Sequence, residues 1–113
     1  MSTLAEKKCA PCEGGVPALD RNAAQVLMQQ LEPRWKLADD TRRLKAEFSF
    51  RNYSRTLAFV NAAAYVAVQE DHHPDISFGY DYCTISWWTH AVDGLSENDF
   101  ICAARVDRLA DGK

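Results

Sequence analysis

The chain of 113 residues lacks three features that would mark it for other roles. Its 13 Lys and Arg do not outnumber its 16 Asp and Glu, so it lacks the basic excess with which proteins meet nucleic-acid phosphates. No apolar run approaches the roughly 18 residues that a membrane-spanning helix needs. Residues 1–8 lack the apolar stretch of a secretory signal. The sequence therefore predicts a cytoplasmic protein without a nucleic-acid or membrane partner.

Cysteine is sparse, and its spacing does not complete a metal site. Cys9 and Cys12 have the spacing of half a zinc site or of a redox pair. No second Cys-x-x-Cys or His-x-x-His pair follows, so a full tetrahedral set of ligands is missing. We expect all four cysteines to be thiols, the first two with a structural or local role. Cys83 and Cys102 fall at apolar positions, which predicts small buried hydrophobic residues.

Length and composition favour one domain with a modest core. Hydrophobic residues make up 47% of the chain and charged residues 26%, as is typical of a globular protein. Internal repeats are lacking beyond a doubled pair of strands. Proline and glycine concentrate near the start, which predicts a loop or extended arm there. We therefore divide the chain into a flexible N-terminal arm over residues 1–19 and a single domain over residues 20–113.

Hydrophobic spacing in the first half predicts a helix and a hairpin. Asp20 can cap a helix whose apolar residues recur every three or four positions until Pro33 stops it. A short strand over 35–37 and a turn at 39–40 lead to a second strand over 44–50. Apolar and polar residues alternate along that strand, so one face of the sheet is polar and the other is covered.

The second half repeats this order. A helix capped by Asn52 or Ser54 should run to about Glu70 and end before Pro74, with a buried stripe of Tyr53, Leu57, Val60, Ala64 and Ala67. Two further strands follow, with inward residues Ile76, Phe78 and Tyr80, and then Cys83, Ile85 and Trp87. The run from Ser96 to Asp99 matches a capping box for a last helix, whose buried side carries Cys102, Val106 and Leu109. The whole predicts an α+β fold, a four-stranded antiparallel sheet with three helices on one face in the order α-β-β-α-β-β-α.

The three histidines of the chain mark the candidate site. Histidine is the side chain whose unperturbed pKa lies near neutrality, so it commonly carries protons in catalysis. His72 and His73 lie between the second helix and the third strand, and His90 follows the fourth strand. Antiparallel pairing of these strands should bring all three histidines to one edge of the sheet, around one cavity.

The spacing of His72-His73-Pro74, the aromatic residues, His90 and Asp99 resembles the signature of the pterin-4a-carbinolamine dehydratases. A weaker likeness in element order extends the resemblance over about residues 20–109. Many members have an acid four residues before the first histidine; this chain has Val68 there, with Glu70 and Asp71 nearer. The resemblance implies removal of water from a 4a-hydroxytetrahydropterin to give the quinonoid dihydropterin, by general acid and base catalysis without a metal or an organic cofactor.

The resemblance also implies roles for particular residues. Three histidines would be catalytic: His72, His73 and His90. Six residues would bind the pterin: Asp71, Pro74, Phe78, Trp88, Thr89 and Asp99. Asp99 could instead orient a histidine or only cap the last helix. Trp87 and Tyr80 are more typical of packing than of ligand contact. The implied partners are the pterin, a second or further copy of the chain in a homodimer or homotetramer, and an aromatic amino-acid hydroxylase pathway.

Three other interpretations remain. The vertebrate members are also dimerisation cofactors for a homeodomain transcription factor, so the chain could be a protein-binding or coactivator module with little turnover. A zinc enzyme using the three histidines is disfavoured, because adjacent histidines at a helix end diverge in direction. His72 and His73 could also be only a charge pair favoured by the helix dipole.

Overall fold

The computed structural model describes residues 4–10 and 17–110 and confirms the predicted order of elements. The helices and strands are α1 (Arg21–Met28), β1 (Lys36–Leu37), β2 (Leu44–Ser49), α2 (Tyr53–Glu70), β3 (Asp75–Phe78), β4 (Tyr82–Trp87) and α3 (Glu97–Ala110). Short 3-10 helices occur at Leu4–Glu6 and His90–Val92. None of the helices in these described ranges is long and apolar enough to cross a membrane.

The strands form one antiparallel sheet in the order β1-β2-β4-β3. In the centre of the sheet, Leu44 of β2 pairs with Trp87 of β4. At the edge, Asp75 of β3 pairs with Ser86 of β4. The start of β3 therefore lies beside the end of β4, and this register brings the histidine pair close to Trp88–His90.

The inner face of the sheet carries the core, as the alternation in β2 predicted. Leu44, Ala46 and Phe48 are at most 3% exposed, and the residues between them are exposed. Trp35 packs edge-on against Phe48, with 5.9 Å between ring centroids. Its indole Nε1 donates a hydrogen bond of 2.9 Å to Asp107 in α3. The polar group of this large core residue is thus satisfied inside the protein.

The predicted buried face of α2 was wrong in part. Tyr53 is 46% exposed and Leu57 is 37% exposed, whereas the residues that face the core are Thr56, Phe59, Val60, Ala63, Val66 and Ala67. Thr56 can be buried because its hydroxyl donates either to the carbonyl of Asn52 or to that of Tyr80, both 2.9 Å away. A satisfied hydroxyl costs little to bury, so Thr56 can lie on the core-facing side of the helix.

Smaller differences concern the ends of elements. The first helix ends at Met28, and turns rather than helix lead from it to Pro33. Tyr80 lies beyond β3 and is 65% exposed, and Leu109 is 36% exposed. The predicted helix caps are confirmed, since Asp20 and Asn52 each accept a backbone N–H in the first turn of their helix. Burial of Cys83 and Cys102 is also confirmed.

Part of the predicted N-terminal arm is described, and it lies along α3. Leu4 and Ala5 are buried members of the core, and the 3-10 helix they belong to contacts α3. Cys12 lies outside the described residues. The division of the chain into a flexible arm and one domain stays a prediction.

Candidate active site

The site begins at the C-terminus of α2, where the backbone turns sharply. Asp71 has a left-handed conformation with φ of 50° and ψ of 45°, and the amide of His72 donates to the carbonyl of Ala67 at 3.1 Å. Such a left-handed cap satisfies a terminal carbonyl and redirects the chain. As a result His72 points inward, only 6% exposed, while the side chain of His73 is 75% exposed.

His72 is held by an aromatic ring and a carboxylate. Its ring is stacked on Trp87, with centroids 5.7 Å apart and planes 7° apart. Its Nε2 lies 2.5 Å from Oδ1 of Asp99, which is fully buried in the first turn of α3. The other oxygen, Oδ2, accepts from the hydroxyl of Thr89 at 2.8 Å and from the amide of Ser96 at 3.0 Å. Asp99 thus caps α3 and orients His72 with one carboxylate.

All three histidines line one cavity of about 210 Å³. It lies between the turn that ends α2 and the segment that follows β4. Its lining consists of Asp71, His72, His73, Trp88, Thr89, His90 and Ala91. Of the residues predicted to bind a pterin, Asp71, Trp88 and Thr89 are therefore at the cavity.

Three predicted pterin-binding residues do not line the cavity. Phe78 pairs with Cys83 at the opposite end of the β3–β4 hairpin, and its ring lies 6.2 Å from that of Tyr53. Asp99 is buried behind His72. Pro74 is half-buried just after the histidine pair. Their roles in binding stay predictions, and in this geometry Asp99 reaches the cavity through His72.

The indole of Trp88 forms an aromatic surface at the cavity and is in contact with Arg43 and His90. The guanidinium of Arg43 lies 3.9 Å from the centroid of its ring and pairs with Asp75 at 3.2 Å. The ring of His90 is 5.1 Å from the same indole. Sequence reasoning missed Arg43. The contact between Arg43 and Trp88 follows from the strand register. Leu44 pairs with Trp87, so Arg43 and Trp88 are cross-strand neighbours just beyond the ladder.

The acids near the histidine pair take different places. Glu70 turns away from the cavity, and its buried carboxylate accepts the amide of Cys9 at 2.9 Å and faces Arg105 at 3.7 Å. Asp71 is exposed at the cavity, with Oδ1 at 3.7 Å from Nε2 of His73. Val68 is 70% exposed. Asp71 is therefore the acid of this group that can act at the site.

Comparison with known proteins finds a matching family and relatives that cover most of the chain. The profile of a family described as pterin 4 alpha carbinolamine dehydratase matches residues 17–109. A protein of Nitrosomonas eutropha named "Putative pterin-4-alpha-carbinolamine dehydratase" is 58% identical over 94% of this chain and 92% of its own length. A Legionella pneumophila protein of the same name is 47% identical over 96% of both chains.

Two solved structures share the fold. A crystal structure from Brucella melitensis, described as a transcriptional coactivator/pterin dehydratase, has a TM-score of 0.77 and 25% identity, and covers 82% of this chain and 98% of that one. A pterin dehydratase-like protein described as a RuBisCO assembly factor in the α-carboxysome has a TM-score of 0.59 and 32% identity. That match covers 67% of this chain and 88% of the other.

Proposed function

The chain belongs to the pterin 4 alpha carbinolamine dehydratase family, and on that premise we propose that it removes water from a 4a-hydroxytetrahydropterin to give the quinonoid dihydropterin. The observation that carries the proposal is that all three histidines of the chain line one cavity. A protein that only binds a partner does not need three proton carriers around one cavity. An aromatic surface at the same cavity suits a flat heterocycle.

The reaction requires two proton transfers. The bond between C4a and the hydroxyl oxygen breaks, and the departing hydroxide takes up a proton to leave as water. The proton on N5 is removed, and its electrons form the new double bond to C4a. Positioned acids and bases each contribute typically about 10²–10⁴-fold to such steps. His73 and His90 are exposed at the cavity, and we assign the two transfers to them.

His72 has a different part in this proposal. Its Nε2 is occupied by Asp99, so only Nδ1 remains for a ligand. Stacking on Trp87 and burial hold the ring in one orientation. A ring fixed in this way positions the pterin better than it shuttles protons. Trp88, held by Arg43, would form the flat surface against which the pterin packs.

A second candidate function is supported by one observation on α2. Tyr65 is 61% exposed and Val68 is 70% exposed on this helix, although both are apolar enough to favour a partner. The similar solved structures are described as a coactivator/dehydratase and as an assembly factor. On this reading the chain binds another protein and turns over little pterin.

The dehydration assay separates the two functions. The 4a-hydroxytetrahydropterin is generated chemically or by a hydroxylase, and its loss is followed by absorbance with and without the purified protein. We expect a rate well above the spontaneous one, at protein concentrations below that of the substrate. The His73→Ala/His90→Ala double variant is the matched control. A parent protein that is no faster than buffer would leave protein binding as the function.

A metal requirement is tested in the same assay. The resemblance implies chemistry without metal, so protein treated with a chelator and dialysed should keep the parental rate. Loss of activity that zinc restores would instead favour the zinc enzyme. The cytoplasmic location, the hydroxylase pathway and the homo-oligomer belong to this proposal as predictions.

A further inference from the structure

Residues 9 and 10 form hydrogen bonds with both α2 and α3. The amide of Cys9 donates to the buried carboxylate of Glu70 at 2.9 Å. Ala10 and the side chain of Asn98 exchange two hydrogen bonds, of 3.0 and 2.8 Å. Residues 7–10, here called the N-terminal segment, therefore bridge the end of α2 and the start of α3. His72 follows α2 directly after its C-cap, and Asp99 lies in the first turn of α3.

Two thiols meet where this segment crosses α3. Sγ of Cys9 lies 3.7 Å from Sγ of Cys102, although the residues are 93 positions apart. Cys102 is fully buried, and Cys9 is half-buried at the surface of the segment. A disulfide needs about 2.05 Å between the sulfurs. The movement required is therefore under about 2 Å, within reach of a segment held by hydrogen bonds to side chains.

We propose that Cys9 and Cys102 form a thiol-modification site that low-molecular-weight disulfides convert into an intrachain disulfide. The thiolate of Cys9 attacks one sulfur of the small disulfide and forms a mixed disulfide. The other half leaves as a thiolate and takes up a proton. Cys102 then gives up its proton and attacks the sulfur of Cys9, which displaces the second small thiol. Two protein thiols are oxidised, and one small disulfide is reduced to two thiols.

The order of these steps follows from burial. A small disulfide meets Cys9 first, because Cys102 lies behind it without exposed surface. The hydrogen bond with Cys9 and burial raise the pKa of Cys102 far above its ordinary value, so Cys102 stays protonated until Cys9 has reacted. Modification of Cys9 removes the largest of these causes. Cys102 is then the resolving thiol, already in contact with the sulfur it attacks.

The proposed pairing differs from the one that the sequence spacing suggests. A Cys9–Cys12 disulfide would close a small loop within the start of the chain. A Cys9–Cys102 disulfide would instead fasten the N-terminal segment to α3, one turn after Asp99. A cross-link that closes so long a loop restricts the unfolded chain strongly and should stabilise the fold.

The test uses a Cys12→Ser/Cys83→Ser variant, in which only Cys9 and Cys102 remain. The folded protein is incubated with oxidised glutathione, and free thiols are alkylated before intact-mass measurement. We expect the mass of a single chain without an intermolecular disulfide, with two thiols lost, no glutathione adduct and no alkylation. The melting temperature should rise by at least about 5 °C and return to its starting value on reduction. The matched control carries Cys102→Ser in addition to Cys12→Ser and Cys83→Ser and should stop at a glutathione adduct on Cys9.

Peptide mapping of the oxidised parental chain completes the test and does not depend on the variants folding. A peptide joined through Cys9 and Cys102 supports the proposal. A Cys9–Cys12 link, or a persistent adduct on Cys9 with Cys102 free, overturns it. None of these readouts depends on pterin dehydration.

Discussion

Asp99 shows how one buried side chain can link the structure of α3 to the candidate site. Its two oxygens are shared among His72, Thr89 and the amide of Ser96. A buried carboxylate is stable only when its hydrogen bonds are satisfied. The partners that make its burial possible are therefore the same groups that fix the orientation of His72.

Replacing Asp99 by Asn should cost both stability and activity. The amide nitrogen of Asn cannot accept the hydrogen bonds that one of the oxygens accepts, so buried donors lose a partner. We expect the free energy of unfolding to fall by about 2–3 kcal/mol and kcat/KM for dehydration to fall with it. Asp93→Asn is the matched control, since Asp93 is largely exposed, and it should stay within about 0.5 kcal/mol. Equal stability of the two variants in denaturant unfolding would contradict this role.

His73 and His90 should each matter for turnover. Because both line the cavity and are exposed, their removal should leave the fold intact. We expect His73→Ala and His90→Ala each to lower kcat by at least about tenfold. The double variant should lose less than the product of the single losses, because both groups act on one bond-breaking event. His72→Ala should raise KM more than it lowers kcat.

The control for these variants is Asn61→Ala, an exposed position in α2, and circular dichroism verifies folding. Parental rates for both single histidine variants would refute the assignment of proton transfer to these residues. The protein-binding function would then be the stronger candidate.

Burial of Cys83 should make stability depend on pH in alkaline solution. Burial raises the pKa of this thiol from 9.0 to about 11. Between these values the folded state holds the proton that the unfolded state has lost. The stabilisation is therefore present in full below pH 9 and is lost as the pH rises to 11, by about 2–3 kcal/mol in total. Cys83→Ala should flatten this part of the curve measured by urea unfolding. A constant difference between parent and variant from pH 8 to 11 would exclude the effect.

At the scale of elements, the site depends on how α2 ends. The left-handed Asp71 sends His72 into the protein and His73 towards the cavity. Proline after the pair then favours the extended backbone that enters β3. The helix and the edge strand thus meet in a turn whose geometry is set by a single residue.

Substitution at Asp71 should separate backbone strain from charge. Asn tolerates the left-handed conformation, whereas a β-branched residue is strained there by about 1–2 kcal/mol. We expect Asp71→Asn to unfold at nearly the parental denaturant midpoint and Asp71→Val to lose about that free energy. Gln69→Val, at an exposed position of the same helix, controls for the lower helix propensity of Val. Equal free energies of unfolding for Asp71→Val and Gln69→Val would show that the left-handed conformation at position 71 does not disfavour Val.

At the scale of the whole molecule, exposed apolar residues predict assembly. Most of them lie on α2 and around the β3–β4 hairpin, and β3 is an edge strand of the sheet. The most exposed residues on these two elements are Tyr53, Tyr65, Val68, Tyr80 and Tyr82. An uncovered strand edge together with such side chains favours pairing between copies of the chain.

We therefore expect a homodimer or homotetramer in sedimentation experiments at micromolar concentration. Tyr65→Lys/Val68→Lys tests the α2 surface and should lower the oligomeric state if that surface is an interface. If this variant keeps the parental oligomeric state, the α2 surface is not the interface, and the edge of β3 is the next candidate. A parental chain that sediments as a monomer would contradict the prediction of assembly.

Local pattern was sufficient to predict the fold class, the order of elements, the two helix caps and the group of histidines near one sheet edge. Alternation in β2, helical spacing, and Asp20 and Asn52 as caps are properties of short stretches, and short stretches are what sequence periodicity reports. The buried face of α2 and the contact between Arg43 and Trp88 are different, because they depend on which element lies opposite. The strand order β1-β2-β4-β3 set β2 beside β4. Packing of α3 against α2 and β4 buried Asp99 behind His72. Only the tertiary structure decides such contacts, since their free energy comes from groups far apart in the chain.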